Sequence, residues 1–293
     1  MYRDRDDRPP LAIEGNIRPT DAKDEDKSTI RSLARSIHVI QAINRYGSIA
    51  LTDIARVTGI PFPTAYRIIN TLIQEGLIER EPGRKRYRPT ALIQSLACGF
   101  QNHDRLVNVA RPIMTDFTQR HHWPLTVVTR VGDKMVVRYH TSWHTTLTFN
   151  NYYPGWQVPL LASASGQAYL AFAEDHIQEA LLAQANVMEG VMDPFVLREF
   201  QSGRACQRIR EVGYSAIAKA QFSANPGKTS SIAVPLFEGG ELVGALALVY
   251  FANGMTLDKA VTDFLEPLRA TAQSIGEELL RTPTQFDGMH SLN

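Results

Sequence analysis

The chain reads as an α+β protein in two parts: a small helical module, then a larger domain built on antiparallel strands. Three observations lead there. From Ile30 to Leu72 apolar residues recur at steps of three and four, the periodicity of helices with one buried face. Beyond Trp123 the apolar runs shorten and pair around Gly132-Asp133 and Gly239-Gly240, a strong hairpin signal. Stretches of helical spacing lie between and after those hairpins, so strands and helices share the second domain.

The 293 residues suffice for two ordinary domains, and 44% hydrophobic with 21% charged residues is a globular composition. No apolar run approaches the roughly 18–20 residues that span a bilayer. The opening MYRDRDDRPP has no apolar stretch behind a basic start, which predicts no secretion signal and a cytoplasmic location. Cys98 and Cys206 stand far apart and outside any CxxC pattern. They read as buried, inert thiols rather than a disulfide or zinc site. The net charge of +1 is unevenly spread: residues 28–90 hold ten Lys/Arg and four Asp/Glu, a net of +6, whereas residues 91–293 hold fifteen and eighteen, a net of −3. A cationic segment of this size suits a polyanion.

Residues 1–27 are charge-rich and poor in large apolar groups, so they read as a disordered tail. Ile30, Leu33, Ile37, Ile40 and Ile43 form the inner face of a first helix that Gly47 ends. Thr52 is placed to cap a second helix running through Thr58, with Leu51, Ile54 and Ala55 inward and Gly59 as its left-handed stop. Pro61 and Pro63 open a third helix to about Glu75, and Gly76 stops it. Residues 77–89 read as two short strands around Pro82-Gly83. Helix, helix, turn, helix and basic hairpin is the order of a winged helix-turn-helix, assigned to residues 28–89.

Residues 90–104 read as a linker helix that packs against another subunit, and 105–282 as the second domain, followed by a flexible tail at 283–293. Within it a helix carries Leu106, Val109, Ala110, Ile113 and Phe117. Strands are predicted at 125–130, 134–140, 145–149, 214–219, 230–237 and 241–251. Helices are predicted at 163–172, 175–185, 194–212 and 256–281.

With Ala65, Ile68, Ile69 and Leu72 inward, the third helix turns Pro63, Arg67, Asn70 and Gln74 outward, flanked by Thr64, Tyr66 and Thr71. This polar face suits a major groove. Arg67 matches guanine and Asn70 adenine through bidentate hydrogen bonds. Phe62, Thr64, Tyr66 and Arg67, near the helix start, are the leading base contacts, with Phe62 suited to a thymine methyl. Arg84, Lys85, Arg86 and Arg88 sit where a wing follows phosphates or enters the minor groove. Arg31 and Thr52 complete the set of DNA-binding candidates. A polar helix face alone is often only solvated; the basic hairpin behind it is what points to a DNA duplex.

The segments RSLARSIHVIQAI (31–43) and LTDIARVTGIPFPTAYRIINTLIQEGLIER (51–80) resemble the DNA-binding domain of the IclR family of bacterial transcriptional regulators, with Gly59-Ile60-Pro61, Thr64, Arg67, Leu72 and Gly76 in the family's turn and recognition helix. VPLLASASGQAYLAF (158–172), SSIAVPLF (230–237) and GALALVYF (244–251) resemble its effector domain. Departures are Pro63 for the common Ser, Phe62 for a basic residue, and Gln167 for the usual Lys. The resemblance implies a GAF-like effector-binding domain, a homodimer or homotetramer, and a pseudo-palindromic operator. Residues 122–138 and 246–256 are similar to members that govern 3-hydroxyphenylpropionate degradation, which implies control of aromatic-compound catabolism.

Chemistry places the effector pocket at 159–169 and the facing strands. Ser163 or Ser165 caps a helix whose N-terminus suits a carboxylate, and Gly166 lets a ligand approach the backbone. Leu160 and Ala164 belong to the same segment. Ser230 and Ser231 are candidate donors, Ala247 and Val249 a wall, and Phe149, Trp156, Tyr169 and Tyr250 an aromatic sandwich. The plainer readings are helix–sheet packing for the small residues at 162–166 and a loop anchor for Trp156. No catalytic set is legible: His121-His122 and His140/His144 lack chelating spacing, and Ser163 and Ser165 lie outside a GxSxG elbow. The expectation is therefore no enzyme, cofactor or metal, but a regulator that meets operator DNA and a small organic acid. The acid would change half-site spacing or contact with RNA polymerase. A ligand-independent DNA-binding protein and an enzyme with an accessory basic domain are the alternatives.

Overall fold

The structure is a computed structural model that describes residues 30–97, 104–132, 134–148, 152–185, 193–221, 223 and 225–282. The expected tails at 1–27 and 283–293, part of the linker and Phe149 lie outside the described residues. The chain divides into two compact units, residues 1–103 and 104–293. No helix among the described residues is long and apolar enough to cross a membrane.

In the first unit, α1 (Arg31–Tyr46), α2 (Leu51–Thr58) and α3 (Phe62–Gln74) enclose a core that includes Val39, Ile43, Ile54, Ala65, Ile69 and Leu72. The inward spacing expected of α3 holds, with Ile68 half-buried beside the buried residues. α1 departs from expectation: Ile30, Leu33 and Ile37 are 66%, 57% and 45% exposed. The rest of the unit covers only the C-terminal half of α1, where Val39, Ala42 and Ile43 are buried, so the apolar stripe outruns its cover. Thr52 is not a cap. β1 (Ile49–Ala50) pairs with β3 (Arg86–Pro89) and delivers an extended Ala50 to the helix start, leaving Thr52 exposed in the first turn.

Gly59 takes φ 65° between α2 and α3, a conformation that costs glycine least. Thr58 stitches the same turn: its buried hydroxyl donates to the Ile54 carbonyl at 2.7 Å and accepts from the Ile60 amide at 3.4 Å. β2 (Ile78–Arg80) pairs with β3 to form the wing, giving a sheet of order β1-β3-β2. Residues Ala91–Leu96 form a 3₁₀ segment where an α-helix was expected. Thr90 caps it, accepting from the Leu92 amide at 3.2 Å.

The second unit is an antiparallel sheet of order β6-β5-β4-β9-β8-β7 among the described residues. Its strands are β4 (Leu125–Val131), β5 (Lys134–His140), β6 (Gln157–Val158), β7 (Ser215–Ile217), β8 (Thr229–Glu238) and β9 (Glu241–Phe251). One face presents Leu125, Val127, Ile232, Val234, Leu246 and Leu248 to α4 (Arg105–His121) and α9 (Leu257–Arg281). The opposite face presents Ala233, Ala245 and Ala247 to the side of α5 (Ala164–Phe172), behind which packs α8 (Arg204–Val212). Alternation along a strand sends large residues to one layer and alanines to the other. The alanine floor lets α5 sit close to the sheet. α6 (Asp175–Ala185) and α7 (Pro194–Gln201) complete this layer.

Two expectations need correction here. The helix expected over 194–212 is α7 and α8, broken where Gly203 takes φ 76°. Residues 145–148 form no strand, with bends at 146–148, and the short β6 holds that sheet edge by pairing with Met135 and Val136.

Candidate nucleic-acid interface and effector recess

Exposure on α3 follows the face expected from its sequence. Phe62, Pro63, Tyr66 and Arg67 are exposed, and Thr64 and Asn70 half-buried. Phe62 and Tyr66, one turn apart, are 49% and 48% exposed, an unusual outlay of aromatic surface for a solvated helix. Thr71 turns back to donate to the Arg67 carbonyl at 3.1 Å. No acidic side chain interrupts this face before Glu75.

Of the wing's five cations, the four expected to meet DNA divide between two roles. Arg86 is half-buried, and its guanidinium donates to the Ser48 hydroxyl at 2.9 Å and carbonyl at 2.6 Å. It ties the strand to the end of α1. Arg88 pairs with Glu79 across the hairpin at 2.7 Å. Arg84 and Lys85 are exposed at the turn and make no ion pair among the described residues. Arg31 is exposed at the first residue of α1, and Thr52 in the first turn of α2.

In the second unit, a recess encloses about 560 Å³, part of it open to solvent. Val128, Val137, Trp156, Val158, Ala247 and Val249 form apolar walls, and Thr126, Ser163, Ser165, Ser223, Thr229 and Ser231 supply hydroxyls. The start of α5 forms one side. Ser163 caps it, accepting from the Gly166 amide at 3.0 Å and donating to the Pro159 carbonyl at 2.6 Å. First-turn amides lack helical partners and carry the positive end of the helix dipole. No Lys, Arg, His, Asp or Glu lines the recess among the described residues.

The predicted pocket residues divide accordingly. Trp156, Ser163, Ala164, Ser165, Ser231, Ala247 and Val249 meet at the recess. Ser230 faces the other way, pairing with Tyr250 across β8 and β9 and accepting from the Lys219 amide at 3.0 Å. Tyr169 is buried and accepts from Arg130 at 3.2 Å, away from the lining. Gly166 serves packing rather than ligand approach: a Cβ there would lie 2.1 Å from the Leu160 carbonyl oxygen, so Leu160 contributes its backbone to that contact. Gln167 bridges helix and sheet edge, donating to the Leu161 carbonyl at 2.8 Å and accepting from Ser215 at 2.8 Å.

His140 and Cys206 line neither surface. Burial pushes His140 down to about 4 and raises Cys206, in keeping with a neutral imidazole and an inert thiol. Among the described residues no cluster of His, Cys, Asp and Glu can hold a metal ion.

Two family models match the chain, the IclR helix-turn-helix domain over residues 32–82 and the bacterial transcriptional regulator IclR C-terminal domain over residues 100–277. The chain belongs to the IclR family. It is a DNA-binding transcriptional regulator. The DNA-binding transcriptional repressor YiaJ of Escherichia coli K12 is 22% identical over 251 residues, covering 85% of this chain and 88% of YiaJ. The regulator BhcR of Paracoccus denitrificans is 26% identical over 239 residues, covering 80% of each. Among solved structures, the Thermotoga maritima IclR superposes with a TM-score of 0.60 at 20% identity, covering 85% of this chain and 98% of the other. An IclR homologue from Microbacterium hydrocarbonoxydans, complexed with 4-hydroxybenzoate, gives 0.62 at 23% identity, covering 86% and 100%. These superpositions establish a shared fold.

Several lining residues of this IclR-family recess escaped the sequence reading. Thr126 and Val128 lie two apart on β4 and share a face, a signal that alternation supplies once β4 is known to be central. Ser223, in the loop after β7, and Tyr152, before β6, carry no such pattern.

Proposed function

We propose that this IclR-family chain binds its operator through α3 and the wing, and that a small organic acid in the recess of the second unit controls that binding. Phe62, Thr64, Tyr66, Arg67 and Asn70 read bases, with Pro63 fixing the helix start. Arg84 and Lys85 hold phosphates, and Arg31 and Thr52 flank them. The observation that carries the effector reading is the recess itself. Apolar walls surround a capped helix N-terminus, with hydroxyls in place of charged side chains. That combination suits an apolar body with one carboxylate. Trp156, with Tyr152 and Tyr153 edge-on at 6.0 and 5.3 Å, gives an aromatic wall and supports an aromatic acid.

The antiparallel sheet between helical layers supports a GAF-like reading of the sensing unit. The family resemblance supports a homodimer or homotetramer on a pseudo-palindromic operator, since two-fold proteins match two-fold sites. The similarity at 122–138 and 246–256 supports genes of aromatic-compound catabolism as the target, and the 4-hydroxybenzoate held by the Microbacterium homologue is consistent with that chemistry.

A melting-temperature screen with aromatic and short-chain acids tests the effector reading, because a ligand of the native state stabilises it by mass action. Benzoate- or phenylacetate-type acids are expected to raise the Tm, and Val249→Phe, which narrows the recess, to remove the rise. If no acid of either class shifts the wild-type chain, the effector reading fails.

A further inference from the structure

The second unit begins at Asp104, and the next residue opens α4. Each of the two is anchored by a different route. Arg105 donates to the Leu279 and Thr282 carbonyls at the end of α9, at 2.6 and 2.8 Å, and pairs with Glu238 at the β8–β9 turn. None of these residues lines the recess. Asp104 meets β5 instead. Its carboxylate caps α4, accepting from the Val107 amide at 3.3 Å, and pairs with Arg138 at 3.0 Å. Both side chains of the pair are largely buried, Arg138 18% and Asp104 13% exposed.

Arg138 sits at a break in the strand register. β4 and β5 align Val127 with Tyr139 but Val128 with Val137, so Arg138 is the extra residue of a β-bulge. A bulge disrupts the ladder locally and re-aims a side chain. Val128 and Val137, on one side of the break, line the recess. Val127 and Tyr139, on the other, belong to the core beneath α4 and α9. Arg138 also donates to the Thr129 hydroxyl at 2.9 Å. Tyr139 lies under the Arg111 guanidinium at 5.3 Å, about two turns along α4 from Asp104. Two consecutive residues of β5 thus grip α4, directly after a valine that walls the recess.

We propose that the Asp104–Arg138 ion pair passes the state of the recess to the segment that leads into the first unit. This rests on the effector reading above and names its route. An acid packed against Val128 and Val137 sets their separation. The strand yields most readily at the bulge, so a shift of Val137 is carried to Arg138. A largely buried ion pair depends on close geometry, and the shift reaches the start of α4 as a change in how firmly Asp104 is held. The Arg105 anchor has no recess residue beside it and is unaffected.

The test is the ratio of duplex affinities of the full-length chain with and without saturating benzoate or phenylacetate, whichever raises the Tm more. Asp104→Asn removes the charge and keeps an oxygen that caps α4. Arg138→Gln removes the opposite charge. Glu238→Gln breaks the neighbouring anchor and is the control. In the wild type the acid is expected to change duplex affinity at least about fivefold. In Asp104→Asn and Arg138→Gln the ratio is expected to fall to near one, although calorimetry shows the acid still bound. Glu238→Gln is expected to melt lower and keep the wild-type ratio. Where Arg138→Gln fails to fold because it strands a buried carboxylate, Asp104→Asn decides the matter. A wild-type ratio in Asp104→Asn overturns the proposal. So does a ratio that Glu238→Gln loses as fully, which would mean that any loosening of α4 suffices, and so does loss of acid binding in Asp104→Asn. In each of those cases the effector reading stands. If the acid leaves the duplex affinity of the wild type unchanged, the effector reading falls and the proposal with it.

Discussion

Arg67 stands on the exposed face of α3 one residue after Tyr66, where a guanidinium reaches a base edge without displacing any internal bond. Replacing it with Ala is expected to weaken specific duplex binding by about 1–3 kcal/mol and to relax one operator position. Base preferences measured on a randomised duplex pool check this; unchanged preferences would move the reading element elsewhere. Gly166 is set by contact rather than by backbone angle. With 2.1 Å between a Cβ and the Leu160 carbonyl oxygen, Gly166→Ala forces α5 off its loop, at a cost of about 1–3 kcal/mol by overpacking. Urea unfolding gives the number, and a neutral result would mean the loop yields freely.

His140 makes a third residue-scale prediction, through pH. It is 4% exposed, its ring lies 4.1 Å from that of Trp143, and burial holds it neutral down to about pH 4. In the unfolded chain its pKa returns to about 6.5. Between those values the unfolded state binds more protons, so stability falls as the pH is lowered. The stabilisation is complete above about pH 6.5 and is lost as pH drops toward 4, on the order of 3 kcal/mol in all. His140→Leu is expected to lose less stability than wild type between about pH 7 and 4.5. Parallel losses would place the acid sensitivity on other groups.

At the scale of elements, the wing separates two kinds of arginine that look alike in sequence. Arg86 ties β3 to Ser48, and Arg88 answers Glu79, whereas Arg84 and Lys85 stand at the turn. Replacing Arg84 and Lys85 with Ala is expected to lower the salt slope of duplex binding by about 0.9 for each phosphate no longer neutralised, with little change in Tm. Arg86→Ala is expected to lower the Tm. Salt titrations and melting curves on the same variants decide it, and a reversed pattern would contradict the division.

The elements themselves were largely legible because periodicity and punctuation agree in them. Gly59, Pro63 and the alternation along β4, β5, β8 and β9 each report a local conformation. What was not legible depended on neighbours. The exposure of Leu33 and Ile37 reflects the reach of the elements that pack on α1, and the start of α2 reflects the pairing of Ala50 with Arg86. Ser230 and Ser231 look equivalent in sequence, yet strand alternation sends one to the recess and the other to Lys219. For Gly166 the sequence pointed to close approach, but the approaching group is Leu160.

For the whole molecule, the charge distribution assigns the work. The segment 28–90 carries +6 and the remainder beyond it −3, so affinity for a polyanion belongs to the first unit. The second unit offers an uncharged recess suited to a small acid. Regulation then requires that the acid bind unequally to the DNA-bound and DNA-free states, and that coupling is reciprocal. The most direct measurement is the affinity of the full-length chain for a duplex selected from a random pool, at fixed salt, with and without saturating aromatic acid. The expected result is a change of at least about fivefold, absent in Val249→Phe although that variant binds the same duplex equally well without acid. An acid that binds the chain and leaves duplex affinity untouched, or a shift that Val249→Phe retains in full, would contradict control from the recess.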